Sequence, residues 1–276
     1  MIRDITIGQY YKADSVIHRL DPRVKLMGTL IFIISLFMGM NIWIYAVVTV
    51  ALAVVIKMSR IPLKFMVRGL KSIVILIIIS AVFNLFLTPG DVLIQIWKLT
   101  ITYQGLKMAI FMVVRLIYLI VGTSLMTLTT TPNNLTDGLE KGLGFLKVIK
   151  VPVHEIAMMM SIALRFIPIL IEETDKIMKA QMARGADFEN GSLIKRAKAM
   201  VPILVPLFVS AFRRANELAM AMEARCYHGS EGRTKMKPLV YEKDDKIAYL
   251  FIFAFLAVVI VLRILLPVNL GNLIFR

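Results

Sequence analysis

The stretch Leu26–Ile56, LMGTLIFIISLFMGMNIWIYAVVTVALAVVI, runs without a single charged side chain. As one helix it would be roughly 46 Å long, far more than the ~30 Å hydrocarbon core of a bilayer. A break at Gly39-Met40-Asn41 divides it into two spans of about 15 residues, short enough to need tilt or local thinning. The flanks decide between the two readings. Arg3, Lys12, Arg19, Arg23 and Lys25 precede the stretch, and Lys57, Arg60, Lys64, Arg68 and Lys71 follow it. Basic flanks belong on the cytoplasmic side, so an even number of spans separates them. The stretch is a hairpin.

The remainder follows from that hairpin. The chain is 58% hydrophobic and only 18% charged, where a soluble domain of this size is about half apolar and a quarter charged. Its net charge of +15 then reads as basic membrane flanks and not as a nucleic-acid surface. Further spans are predicted at Ser72–Thr88 and Leu106–Thr130, joined by an external turn at Pro89-Gly90-Asp91, and at Ile247–Pro267. The expectation is an all-α membrane protein of about five spans, N-terminus inside and residues 268–276 outside. Residues 1–25 show no secretory leader. Three regions result: an arm and four spans over 1–130, a cytoplasmic helical region over 131–245, and a final span with its tail over 246–276.

Residues 131–245 hold 17 Lys/Arg and 14 Asp/Glu among many Ala, Met, Leu and Ile. Such a block is too charged to span and too apolar to stay solvated on all sides. Its periodicity predicts amphipathic helices over Asn134–Leu146, Val153–Arg184, Leu193–Val201 and Leu207–Arg225, with Pro168 a candidate kink and Gly185, Gly191 and Gly229 as stops. Two of these helices end alike, in Gln181-Met182-Ala183-Arg184-Gly185 and Met222-Glu223-Ala224-Arg225-Cys226. Termination alone explains one such ending, since Arg complements the helix dipole and Gly takes the left-handed position. Two copies on successive helices point further. Alanine keeps a tip slim enough for a groove, and Arg offers a planar donor fork to a carboxylate on another protein.

With these tips the chain resembles the T component of energy-coupling factor transporters, the EcfT/CbiQ family, which carries twin Ala-Arg-Gly motifs. The arm supports the resemblance: Gly8-Gln9-Tyr10 and then Ser15-Val16-Ile17-His18-Arg19-Leu20-Asp21-Pro22-Arg23-Val24-Lys25 look like that family's lead-in to its first span. Cys226 departs from the family's usual Gly, and Cys tolerates the left-handed conformation poorly. The resemblance implies an ABC-type importer in which two ATPases dock on this subunit while a separate membrane S component binds a vitamin or transition-metal ion. Ala183, Arg184 and Gly185 would meet one ATPase, and Ala224, Arg225 and Cys226 the other. The subunit itself would be non-catalytic and take no cofactor.

Other residues bear on the same question. There is no Gly-x-x-x-x-Gly-Lys-[Ser/Thr] loop to cradle nucleotide phosphates. Eight methionines lie between residues 151 and 226; they serve as core filler or as an adaptable platform. On the platform reading Met158, Met159 and Ala163 face the S component. Arg115 lies mid-span, and the only acidic residue between Pro22 and Thr136 is Asp91, so its partner is open between the lipid surface, a backbone carbonyl, the 131–245 block and another subunit. His154-Glu155 is not a zinc-protease motif, because position 158 is Met. The three scattered histidines and lone Cys226 argue against a metal site. Asp14 and Asp21 read as turn or cap residues. The runner-up function is the permease of a conventional ABC importer, which would line the substrate path itself. A membrane enzyme would need paired polar groups within the spans, which offer Asn84, Arg115 and hydroxyls with no carboxylate or histidine.

Overall fold

The computed structural model describes residues 10–39, 41–71, 73–96, 99–186, 188, 193–229, 236 and 238–265. Among them the helices are α1 (Val16–Arg19), α2 (Pro22–Phe37), α3 (Ile42–Ser59), α4 (Leu63–Lys71), α5 (Val74–Leu87), α6 (Tyr103–Thr129), α7 (Pro132–Gly142), α8 (Val153–Ala183), α9 (Leu193–Ala224) and α10 (Lys243–Leu265), with a 3₁₀ segment at Gly144–Ile149. The expected hairpin is present as α2 and α3. Asp21 caps α2 by accepting the Arg23 N–H, with Pro22 at the first position, and Asn41 caps α3 by accepting the Trp43 N–H. Each fills an orphan donor at a helix start. By length and hydropathy α3, α6, α8 and α10 can cross a membrane, and the bent pair α4–α5 could supply one more crossing.

Several expectations need correction. The external turn at Pro89-Gly90-Asp91 continues into an antiparallel ribbon, β1 (Val92–Ile96) with β2 (Leu99–Thr102). The run VLIQI…LTIT is β-branched and alternates enough to pair as a hairpin. The basic loop 57–71 contains α4, whose Lys64 and Lys71 sit on a strongly amphipathic helix. The helix predicted at Asn134–Leu146 ends at Gly142 and tightens into the 3₁₀ turn. The two helices predicted at Leu193–Val201 and Leu207–Arg225 are one, α9, running through Pro202 and Pro206. Prolines four apart share a helix face, so both lost hydrogen bonds fall on one side and the other side continues. Gly185 follows α8 with φ of +88°, as a stop position requires, whereas Gly229, with φ of +100°, lies past the end of α9, which closes at Cys226; Gly191, Pro267 and the tail lie outside the described residues.

Two compact units divide the chain: residues 8–138 with 239–276, and residues 139–238 with 1–7. In the first, Leu36, Ile44, Tyr45, Val48 and Val259 form a buried core from α2, α3 and α10, with Phe111, Val114 and Tyr118 of α6 packed on it. Close approach of α2 and α6 depends on Gly122, where a Cβ would stand 2.5 Å from the Phe32 ring; small residues serve helix contacts in lipid this way. Arg115 is buried, and its Nε donates to the Tyr45 hydroxyl at 3.1 Å while its guanidinium lies 5.1 Å from the Phe37 ring centre. A phenol and an aromatic face thus meet the charge near the α2–α3 turn.

The arm organises the basic end of this unit. The buried Asp245 carboxylate, at the start of α10, accepts the Asp21 N–H at 2.7 Å and the Glu242 N–H at 2.8 Å. Arg23 holds Asp21 through Nε and Nη2 and stacks 3.8 Å from the centre of the Tyr241 ring. Lys25 donates to the His18 and Thr129 carbonyls. The starts of α2 and α10 and the end of α6 are therefore joined by polar contacts. His18 Nε2 faces the Tyr11 carbonyl at 3.0 Å, so that nitrogen carries the proton and Nδ1 accepts the Ser15 hydroxyl at 2.7 Å.

Two outcomes follow from this cluster. Asp245→Ala leaves the buried Asp21 amide and the part-buried Glu242 amide unmatched and should cost about 1–3 kcal/mol, read as a lower thermal midpoint in detergent; Asp245→Asn, which keeps one acceptor, should cost less. Desolvation holds the His18 imidazole below its usual pKa of 6.5, assisted by Lys25 and opposed by the Tyr11 carbonyl and by Asp14. The folded state then binds fewer protons than the unfolded one just under pH 6.5, so stability falls as pH drops through that region. His18→Gln should flatten this acid limb of the melting profile.

Candidate functional site

The unit of residues 139–238 carries the arginine-ended helices. The start of α8 is fixed by His154, whose Nδ1 lies 2.9 Å from Glu140 Oε1, and by the buried Val153 and Ala157. Along its length α8 meets α9 at two polar points. Arg214 Nη2 donates to Glu173 Oε2 at 2.6 Å. Gln181 Nε2 donates to the Pro202 carbonyl at 3.4 Å. That carbonyl has no helical donor of its own, because residue 206 is proline and lacks an N–H. The glutamine of the first repeated segment thus completes the hydrogen bonding of a helix broken by two prolines.

These two contacts fix the direction of the pair. Residue 173 opposes 214 and residue 181 opposes 202, so α8 and α9 run antiparallel where they touch. Their C-terminal tips therefore point opposite ways. At 1.5 Å per residue, the tips are separated by on the order of 30 Å.

Both tips close with the same hydrogen bonds. At the end of α8, Gly185 N–H donates to Met182 O at 2.9 Å and Ala186 N–H to Gln181 O at 3.0 Å. At the end of α9, Cys226 N–H donates to Glu223 O at 2.8 Å and Tyr227 N–H to Met222 O at 3.0 Å. This is the Schellman arrangement, in which the residue after the cap turns left-handed. Gly185 does so with φ of +88° and Cys226 with φ of +56°. The departure from glycine at 226 leaves the tip's backbone unchanged. Arg184 and Arg225 occupy the equivalent cap position, and Ala183, Arg184, Gly185, Ala224, Arg225 and Cys226 are all exposed. The sequence placed these six residues at helix ends; it did not reveal the roles of Gln181, Glu173 and Arg214. The Pro-x-x-x-Pro pair was the available signal, since it guarantees one carbonyl in need of a donor.

The methionine-rich face of α8 is also open. Met159 is 58% exposed, and Ala163, one turn on, is exposed too, while Met158 is half-buried. Ile156, Met160 and Ile167 extend the open apolar surface. Among the described residues no group of three or more His, Cys, Asp or Glu could hold a metal ion.

Apolar helices of membrane-crossing length define a multi-pass membrane protein that also carries an antiparallel helix pair with matched arginine tips. The model of the cobalt transport protein family, CbiQ, matches residues 13–236, and the chain belongs to that family. It is 54% identical over 266 residues to the energy-coupling factor transporter transmembrane protein EcfT of Clostridium kluyveri, covering 96% of this chain and 98% of the relative. To the protein of that name from Bacillus subtilis it is 47% identical over 264 residues, covering 95% and 100%. To that from Thermosediminibacter oceani it is 56% identical over 249 residues, covering 90% and 94%. The chain is accordingly a multi-pass cell-membrane protein.

The tip geometry gives opposed expectations at its two left-handed positions. Cys226→Gly removes a side chain that disfavours this conformation by roughly 1–2 kcal/mol and should slow amide exchange at residues 226 and 227. Gly185→Val introduces that same strain and should speed exchange at 185 and 186. Gln181→Leu should loosen α9 around residue 202 without moving either tip amide.

Proposed function

We propose that this chain is the non-catalytic coupling subunit of an energy-coupling factor importer of the ABC type. It passes the ATP-driven motion of two ATPase subunits to a membrane S component that binds a vitamin or transition-metal ion. The observation that carries this reading is the pair of identically closed, exposed arginine tips pointing opposite ways from one antiparallel helix pair. One tip serves one ATPase and the other serves the second. A planar guanidinium at a slim helix end suits a carboxylate in a groove. Ala183, Arg184 and Gly185 form the first contact; Ala224, Arg225 and Cys226 form the second. The relatives' names, which include the words energy-coupling factor transporter, support the assignment. The ATPases hydrolyse the nucleotide, and this subunit contributes neither a phosphate loop nor a cofactor.

The apolar half of α8 is the side we assign to the S component, with Met158, Met159 and Ala163 at the contact. Charges at Glu172, Glu173, Asp175, Lys176 and Lys179 mark the other half, which leads to Arg184. Tied to α9 by Glu173–Arg214 and Gln181–Pro202, the helix behaves as a packed lever with a partner at each end, the kind of two-position element that coupling requires.

Arg184→Ala and Arg225→Ala should each weaken retention of the ATPases in mild detergent. Losing a charge-assisted contact that leaves its partner buried costs roughly 2–5 kcal/mol. The double variant should insert and accumulate normally yet support no uptake; normal uptake would remove the assignment. Met159→Asp should release the S component while the ATPases stay bound, and the reverse pattern would show that the two ends are interchanged. For topology, a Cys226→Gly background with Lys64→Cys should resist an impermeant thiol reagent in intact cells, whereas Asp91→Cys should label.

A further inference from the structure

The basic end of α3 and the folded arm enclose a hollow of about 380 Å³ that none of the roles above uses. Arg19 and Asp14 line it from the arm, and Lys57, Met58 and Arg60 line it from the end of α3. Arg19 holds Asp14 Oδ1 with Nε at 3.1 Å and Nη2 at 2.8 Å, but both side chains are largely exposed. Arg60 Nη1 reaches the Asp14 carbonyl at 3.4 Å. Lys57 has no carboxylate partner among the described residues. Three cations thus face one carboxylate, and Asp14 stays ionised because Arg19 holds its pKa below the usual value. The hollow keeps an excess of two positive charges.

Arg60 is also strained. It caps α3 with φ of +55° and ψ of +23°, a left-handed position where an arginine is disfavoured and glycine is not. Residues held this way cluster at ligand clamps and similar sites. From that position the Arg60 side chain reaches the arm at the Asp14 carbonyl and forms one wall of the hollow.

What lies beside the hollow distinguishes the ligand. Val50, Val54 and Met58 follow one another at intervals of four on α3 and are 64%, 50% and 44% exposed. Residues so spaced form one stripe along a helix. The stripe starts deep in the apolar part of the span and ends at Met58, inside the cationic hollow. An apolar track leading to a positively charged cup at a membrane surface matches the two parts of a phospholipid.

We propose that this hollow binds the phosphodiester headgroup of an anionic lipid, with Lys57, Arg60 and Arg19 on the phosphate and an acyl chain along Val50, Val54 and Met58. A free phosphate would use the cup alone and leave the stripe without a role.

The test uses the full-length chain in neutral detergent, with phosphatidylglycerol, phosphatidylcholine or inorganic phosphate added, and reads lipid retention by native mass spectrometry together with the thermal midpoint. Arg60→Gly is the informative variant, because glycine accepts the left-handed position and the fold survives loss of the cation. Phosphatidylglycerol should be retained over phosphatidylcholine and should raise the midpoint. Retention should weaken about fivefold in Arg60→Gly and about twenty-five-fold when Lys57→Gln is added, following the contribution of each basic side chain near an anionic surface. Val54→Asp should weaken retention with the headgroup contacts intact. Equal retention of both lipids, or undiminished phosphatidylglycerol binding in the double variant, would overturn the site. Inorganic phosphate competing as effectively as the lipid would overturn the lipid as its occupant.

Discussion

Hydrocarbon offers no hydrogen bonds to a backbone, so every amide that enters it must be satisfied within the protein. That constraint accounts for the all-helical body of this chain and for where its irregularities fall. The break between α2 and α3 is sealed by Asn41 on the Trp43 N–H. The start of α6 is sealed by Thr102, which accepts the Gly105 N–H and donates to the Thr88 carbonyl. The same accounting holds in α9, which is not one of the candidate crossings: where it gives up a donor at Pro206, Gln181 of α8 supplies one to Pro202. At these three points a named side chain answers the interruption, and in the last case the answer also binds two helices together.

The exposed tips follow the same principle. A helix end must dispose of its last carbonyls, and the Schellman closure does this with two backbone bonds whatever the side chain at the left-handed residue. Gly185 and Cys226 therefore produce one geometry from two chemistries. The side chain just before the turn is then placed by the backbone, and at both ends it is an arginine. Antiparallel packing distributes the two arginines to opposite ends of a single rigid pair. In the first unit the Asp21–Arg23–Asp245 cluster acts comparably by gathering the ends of distant segments, with a separation of 224 residues between Asp21 and Asp245.

Much of this was legible because it is written in local chemistry. Uncharged length read as spans, and basic flanks read as a hairpin. The repeated Ala-Arg endings read as tips, and Asp21 before Pro22 read as a cap. The misses are non-local or cooperative. Two prolines ordinarily end a helix; α9 continues because their defects share a face and a glutamine from another helix repairs one of them. The partner of Arg115 was out of reach because it is a tyrosine hydroxyl and an aromatic ring, not the carboxylate that charge pairing would seek. Asp245 drew no reading from the sequence, because the contact of its carboxylate with the Asp21 amide depends on a fold no local pattern encodes. The ribbon after Asp91 was read as a turn because short apolar runs beside Pro and Gly are ambiguous between coil and strand.

The hairpin that opened the reading has a mechanical consequence. Its arms of 16 and 18 residues are roughly 24 and 27 Å long, while α6, with 27 residues, is roughly 40 Å. α10 opens on Lys243, Asp244, Asp245 and Lys246, so its apolar part is close to the hairpin in height. The hairpin and α6 belong to one unit, whose flanks therefore present unequal heights to the surrounding lipid. A bilayer matched to α6 must compress against the hairpin, and one matched to the hairpin must stretch along α6. The membrane around this subunit is therefore elastically lopsided. Any neighbour with a short hydrophobic belt relieves that deformation by settling against the hairpin, an attraction carried by lipid that requires no contact between specific side chains.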